Sequence, residues 1–301
     1  MHRAVAWLLG VGLIATIVVS AACGDDEPSE KLQVVTTTEL VADFVRQIGG
    51  ELVDVSALIP PGADPHTFEP SPGDVALISR ADIVFANGLG LEAATLDLIE
   101  ANIGSSTSLV KLGDESGDRG FELVDGDGEA NPHLWLDPRA VQLYLSVIGE
   151  QLLLVAPGNQ SDFTKNREEY LEEFDAAVAY LAEKAAEVSL GQRVLVTTHD
   201  AFPYLARAIG FEVGAFVAVG PGQEPSPRAV AELAEVIEEH DLKAVFREPQ
   251  VGPEGDVLEQ AARDAGVEVC VLLSDALEGE AESYVDLVRL NADELARCLG
   301  G

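Results

Sequence analysis

Three of the five histidines in this 301-residue chain stand where an imidazole could hold a metal ion. His66 lies in PPGADPHTFEPSP, a proline-rich loop just after a β-branched run that ends at Ile59. His133 lies in NPHLWLDP, directly before a helical pattern, and His199 lies in LVTTHDAF, at the carboxyl end of another strand pattern. A single loop histidine is ordinarily a polar surface residue, but three at corresponding strand-end or loop positions of two halves are harder to dismiss. Neutral imidazole is the commonest biological metal ligand, and a carboxylate would complete a four-ligand site. Asp275, read as the last residue of the strand VEVCVLLSD, is the candidate, with Asp286 and Asp293 as rivals inside the following helix. His240 closes an acidic helix and reads as a surface residue, and His2 falls in the leader.

Other chemistries find little support. A zinc hydrolase needs an open coordination position and a general base. The chain has no HExxH motif, and Glu69 and Asp200, near His66 and His199, read as residues that orient ligands rather than as bases. GxSxG and Walker A motifs are also missing, so neither serine-nucleophile catalysis nor ATP hydrolysis is expected. Lys and Arg number 18 against 53 Asp and Glu, a net charge of −35. Such a surface repels phosphate backbones and anionic lipids, which excludes nucleic acid and leaves cations as the natural small partners.

The elements that must position these residues alternate between strand and helix. Strand patterns cover 32–38, 53–59, 81–88 and 108–112, with helical patterns at 39–50, 70–81 and 91–102 between them. A turn-rich acidic stretch, GDESGDRGFELVDGDGEA (113–130), interrupts the series before a helix over 137–157. Residues 161–188 hold no Gly or Pro and keep helical periodicity, which predicts a helix roughly 40 Å long. A second series follows, with strands at 193–198, 211–219, 243–248 and 267–275 and helices at 202–210, 225–241, 254–266 and 283–299. The expected fold is α/β: two βα lobes with mostly parallel sheets, residues 32–160 and 189–301, joined by one long helix over 161–188. Ligands of open α/β sheets bind beyond the carboxyl ends of the strands, which puts the site in the cleft between the lobes.

Residues 1–22 read as a signal peptide, with Arg3 before an apolar run that ends in Ala21-Ala22. Cys23 follows, then a polar tether to residue 31, in the manner of a bacterial lipoprotein cleaved and acylated at the cysteine. Ser20 departs from the leucine usual in that motif. Ordinary secretion or an uncleaved anchor helix are the alternatives, and every reading places the rest of the chain outside the cytoplasmic membrane. Cys270 and Cys298 remain, an even pair that in an oxidising compartment either forms a disulfide or stays as two buried thiols.

GADPHTFEPSPGDVALISRADIVFANGLGLE, NPHLWLDP, THDAFPYLARAIG and FREPQ, in this order, resemble the zinc/manganese solute-binding proteins of bacterial ABC importers, the ZnuA/TroA type, over about residues 32–299. The resemblance implies two lobes on a rigid helix and a metal held by His66, His133, His199 and an acidic fourth residue matching Asp275. It implies delivery of the metal to a membrane permease driven by a separate ATPase, by a monomer and without catalysis. Three imidazoles and one carboxylate suit Zn2+, with Mn2+ or Fe2+ as alternatives. Zinc-type relatives often carry a His-rich loop before the second ligand, where this chain has only the acidic stretch. They also often have a disulfide in the second lobe ending at a cysteine like Cys298. A surface adhesin is the competing function of a different class.

Overall fold

The computed structural model describes residues 31–126 and 128–300; the signal-peptide and Cys23 readings lie outside them. The first lobe runs β1 (Leu32–Thr36), α1 (Glu39–Gly49), β2 (Val53–Ala57), α2 (Pro72–Ile78), β3 (Ile83–Ala86), α3 (Ala93–Asn102) and β4 (Ser108–Lys111). Next come α4 (Leu112–Asp118), a two-residue hairpin of β5 (Asp125–Gly126) and β6 (Glu129–Ala130), and α5 (Pro138–Val155). The long helix is α6 (Gln160–Glu187), 28 residues and so about 42 Å. The second lobe runs β7 (Val194–His199), α7 (Pro203–Ile209), β8 (Glu212–Ala218), α8 (Pro227–Glu239), β9 (Ala244–Arg247), α9 (Pro253–Ala265), β10 (Glu268–Val271) and α10 (Tyr284–Leu299).

Both sheets are parallel, and their orders are equivalent: β2-β1-β3-β4 in one lobe, β8-β7-β9-β10 in the other. Strand residues alternate between faces, as a period of two requires. Val34, Ile83 and Phe85 face inward while Val35, Val84 and Ala86 face an outer layer with Ile78, Leu96 and Ile99. In the second lobe Leu195 and Phe246 face inward, and Val194, Val196 and Val245 pack outward on Leu233, Ile237 and Leu258. The inward faces of both lobes belong to one continuous apolar core. The long helix α6 feeds it through Phe163, Tyr170, Phe174, Ala177 and Leu181, a stripe with helical spacing.

Hydrogen bonds close the same seam. Tyr284 donates its backbone N–H to Asp43 Oδ2 and its hydroxyl to the Trp135 carbonyl, both at 2.8 Å, tying α10 to the first lobe. Asp137, buried, pairs with Arg207 of α7 at 3.2 Å. Cys270 on β10 and Cys298 on α10 are joined as a disulfide, their Cα atoms 6.6 Å apart. Among the described residues no helix is long and apolar enough to cross a membrane.

Besides the short β5–β6 pair, which the turn-rich stretch does not announce, two places differ from the sequence expectation. The acidic stretch opens with the helix α4, whose Leu112 and Ser116 are buried, with the Ser116 hydroxyl bonded back to the Leu112 carbonyl. The last strand stops at Val271, not at Asp275. The chain leaves the ladder after one more bond, Leu272 N–H to the Arg247 carbonyl, and then turns to α10, where Asn291 takes the Leu273 N–H and donates to its carbonyl. Asp275 therefore stands four residues beyond its strand.

Candidate metal centre

The three histidines and Asp275 meet between the lobes. His66 Nε2 lies 3.1 Å from His133 Nε2, which lies 3.2 Å from His199 Nε2. Asp275 Oδ1 is 3.2 Å from His133 Nε2, and Oδ2 is 3.3 Å from His199 Nε2 and 4.0 Å from His66 Nε2. A tetrahedron with metal–ligand bonds of about 2.0–2.1 Å has edges of about 3.3–3.4 Å, so four of these separations, 3.1 to 3.3 Å, are close to those around one ion, and the contact from Asp275 to His66 is longer. Asp286 and Asp293 are elsewhere. Asp286 accepts from the Ser283 hydroxyl at the start of α10, and Asp293 accepts from Tyr180 on α6.

Each of the four side chains is placed by its own local device. His66 follows Asp64, whose carboxylate accepts the His66 N–H at 2.8 Å and also the Thr67 hydroxyl. Its side chain is 19% exposed, whereas those of His133, His199 and Asp275 are at most 2% exposed, so His66 forms the outer wall. His133 begins a helical turn, and Asn131 Oδ1 accepts both its backbone N–H and its Nδ1–H. Asn131 in turn donates to the carbonyl of Asp200 at 2.6 Å and reaches its carboxylate at 3.4 Å. Asp200 thus supports His133 through Asn131; Glu69 is exposed. The Trp135 indole donates to the Ser274 carbonyl at 2.8 Å, which ties the His133 loop to the segment that carries Asp275.

His199 ends β7, and its Nδ1 faces Glu248, a fully buried carboxylate just past the end of β9. Glu248 also accepts from the Thr198 hydroxyl and the Thr198 and His199 N–H groups, and from the Ser274 hydroxyl at 3.1 Å. In the sequence Glu248 stands within FREPQ with no role assigned to it. Its signal was an acidic residue closing an apolar strand, which gains meaning once β9 is known to lie beside β7. Gln250, in the same segment, donates to Ser274 Oγ at 2.6 Å and to Asp275 Oδ2 at 3.1 Å.

The electrostatics follow from this packing. Burial lowers His66 to about 3; Asp275 opposes the shift, while His133 and His199 add to it. Burial works against a charged His199, but Glu248 and Asp275 outweigh it and hold the imidazole well above the ordinary histidine range. Burial would raise Asp275, yet His133 and His199 outweigh it and keep the carboxyl well below its usual range. With Nδ1 of His133 and of His199 each donating outward, both rings present a lone pair on Nε2 to the same point. Two lone pairs 3.2 Å apart repel unless a cation or a proton sits between them.

Three imidazoles and a carboxylate gathered between two equivalent α/β lobes, with one long helix sharing the core of both, have the layout of a solute-binding protein that takes a metal ion. The pattern of the ZnuA family, the periplasmic component A of zinc-uptake complexes, matches residues 34–298, and the chain belongs to that family. It is 32% identical to the zinc-binding protein TroA of Treponema pallidum over 305 residues, covering 99% of this chain and 98% of that one. It is 29% identical to the manganese-binding lipoprotein MntA of Halalkalibacterium halodurans, over 95% and 94% of the two chains. The iron-binding protein YfeA of Yersinia pestis is 28% identical over 97% and 95%. The solved structure of the Treponema protein superposes with a TM-score of 0.82 over 90% of this chain and all of that one. A manganese-bound periplasmic metal-binding protein of Candidatus Liberibacter asiaticus, 25% identical, gives 0.80 over 89% of this chain and all of that one.

Proposed function

We propose that this protein captures Zn2+ outside the cytoplasmic membrane and delivers it to the permease of an ABC importer whose ATPase drives uptake. The observation that carries this reading is the convergence of three imidazole Nε2 atoms and one carboxylate on a space the size of one ion. His66, His133, His199 and Asp275 are the ligands. Three borderline nitrogen donors and one oxygen in a tetrahedral frame suit zinc, whereas Mn2+ is better served by more oxygen. The manganese- and iron-binding relatives make Mn2+ and Fe2+ the second reading. The protein works as a monomer held to the membrane by a lipid on Cys23, in keeping with the lipoprotein relatives. The continuous core around α6 limits lobe movement, so capture and release proceed through small local shifts.

Elemental analysis and competitive titration of residues 24–301 with Zn2+, Mn2+ and Fe2+ test the metal. Zinc should bind with the highest affinity and one ion per chain; a preparation with no high-affinity divalent site would sink the reading. Mass spectrometry of the membrane-extracted protein should find acylated Cys23 as the first residue.

A further inference from the structure

The antiparallel pairing of β5 and β6 sets Gly126 opposite Glu129 and Asp125 opposite Ala130, so Val124 and Asn131 are the next pair, at the root of the acidic hairpin. A hydrogen-bonded antiparallel pair exchanges two N–H···O=C bonds. Asn131 gives one of them directly, its N–H to the Val124 carbonyl at 2.8 Å. The return bond is interrupted. Val124 N–H donates to the Tyr204 hydroxyl at 3.0 Å, and that hydroxyl donates to the Asn131 carbonyl at 2.9 Å. The directions are fixed, because an N–H only donates and a carbonyl only accepts, so the hydroxyl does both. Tyr204 lies on α7 of the second lobe and is fully buried. A side chain of one lobe is thus built into a strand pair of the other.

This root stands directly before His133. Asn131 carries the side-chain oxygen that accepts the His133 N–H and its Nδ1–H. Arg207, one turn further along α7, donates to the Glu122 carbonyl at 2.9 Å and pairs with Asp137. The same helix therefore holds the chain before the hairpin, at its root and after His133.

We propose that Tyr204 is a positioning residue for the metal centre: its hydroxyl spaces the root of the acidic hairpin, sets Asn131, and through Asn131 aims the His133 imidazole. Without the hydroxyl the strand pair closes directly. Closure draws Asn131 toward Val124 and carries its side-chain oxygen off the His133 ring. The acidic hairpin is joined to the site through this root. The role rests on the metal-capture reading above.

The test uses residues 24–301 with Zn2+ as the probe, in four forms: the parent, Tyr204→Phe, Asn131→Ala and the two changes together. Tyr204→Phe should weaken zinc binding about tenfold, the lower end of the range for groups that support a ligand. Asn131→Ala keeps the backbone carbonyl that Tyr204 bonds and cuts the path to His133. In that background Tyr204→Phe should leave zinc affinity where Asn131→Ala alone puts it, while lowering the denaturant midpoint as it does in the parent. A merely structural role would instead give additive losses of affinity. The same loss in both backgrounds, or none in the parent background, overturns the role of Tyr204 and leaves metal capture standing. Failure of the parent itself to bind Zn2+ overturns both. If Tyr204→Phe does not fold, a crystal structure of the zinc-loaded parent decides: the hydroxyl seated between Val124 N–H and the Asn131 carbonyl supports the assignment, and a direct bond between those two groups overturns it.

Discussion

Thr38 and His199 occupy the same place in the two lobes. Each follows two threonines at the carboxyl end of the strand that pairs with two neighbours in its sheet, β1 or β7. Thr36 and Thr197 donate to the carbonyls of Thr38 and His199, at 3.1 and 2.8 Å. Thr37 and Thr198 donate to buried glutamates, Glu92 and Glu248. Past this shared frame the lobes part. The Thr38 hydroxyl accepts from Val41 N–H and caps α1, while His199 turns its imidazole into the site. Glu248 consequently has a duty that Glu92 lacks, that of accepting from the outer nitrogen of His199.

That asymmetry separates the two glutamates experimentally. Glu248→Gln keeps the shape and leaves His199 a weaker acceptor, so zinc affinity should fall roughly 10- to 100-fold. Glu92→Gln perturbs an equivalent frame with no ligand attached and should leave affinity unchanged, whatever it does to stability. Competitive titration of both variants, with circular dichroism as a check on folding, measures this. Equal losses in the two would reduce Glu248 to a strand-end brace.

Much of this architecture is legible in the sequence because each lobe repeats a strong local pattern. The Gly- and Pro-free run over 161–188 differs from α6 by one residue at each end. The four residues that meet between the lobes are named by loop and strand-end chemistry together with a family resemblance. What the sequence hides is contact between segments far apart in the chain. Glu248 meets His199 across 49 residues, and Trp135 meets Ser274 across 139. No periodicity carries such pairings. The sequence predicts Asp275 at a strand end because CVLLSD is apolar up to its last two residues. The ladder ends earlier, since Leu273 bonds to Asn291 of α10 instead of to a strand. The helix α4 is seven residues long and rich in Gly and Asp, so no amphipathic stripe announces it.

Metal affinity should fall as the pH falls, and the shifts say which group starts the loss. Metal binding needs the free lone pair of His199, and His199 without metal holds its proton well above the ordinary histidine range because Glu248 and Asp275 outweigh its burial. Proton competition therefore begins above the ordinary value of about 6.5 and strengthens downward, at about one log unit per pH unit for one displaced proton. His66, lowered to about 3, takes no part until strong acid. Asp275, held well below its usual range, stays ionised throughout. Zinc titration from pH 8 to pH 5 should show the slope, and a flat profile is incompatible with this site.

Cys270 and Cys298 close a loop of 28 residues between β10 and the end of α10. On the chain-entropy model that cross-link stabilises the fold by about 3–4 kcal/mol. Both cysteines are buried and lie at the far end of α10 from the Asp275 segment, so their loss should affect stability more than metal binding. The Cys270→Ala/Cys298→Ala protein should melt at lower denaturant concentration than the oxidised parent while keeping zinc affinity. Coincident melts would show that the bond contributes nothing to the folded state.

The last prediction concerns the exchange of metal preference. Asp275→Ala should weaken zinc binding strongly, because it removes the only carboxylate among the four ligands and with it the charge that offsets the ion. Asp286→Ala, which acts on Ser283 at the start of α10, should not. Replacing His199 by glutamate would swap a borderline-soft nitrogen for hard oxygen, a change that favours Mn2+. The surroundings of His199 complicate it. Its outer nitrogen faces Glu248, so His199→Glu alone sets two buried carboxylates side by side, and one must take up a proton or be displaced. The single variant should therefore bind both metals poorly. His199→Glu combined with Glu248→Gln supplies an amide donor in place of the second charge, and this pair should recover binding with Mn2+ favoured relative to the parent. Isothermal titration of the parent, the single variant and the double variant with Zn2+ and Mn2+ separates the cases. If the single variant already binds Mn2+ as well as the double does, Glu248 does not constrain the ligand beside it.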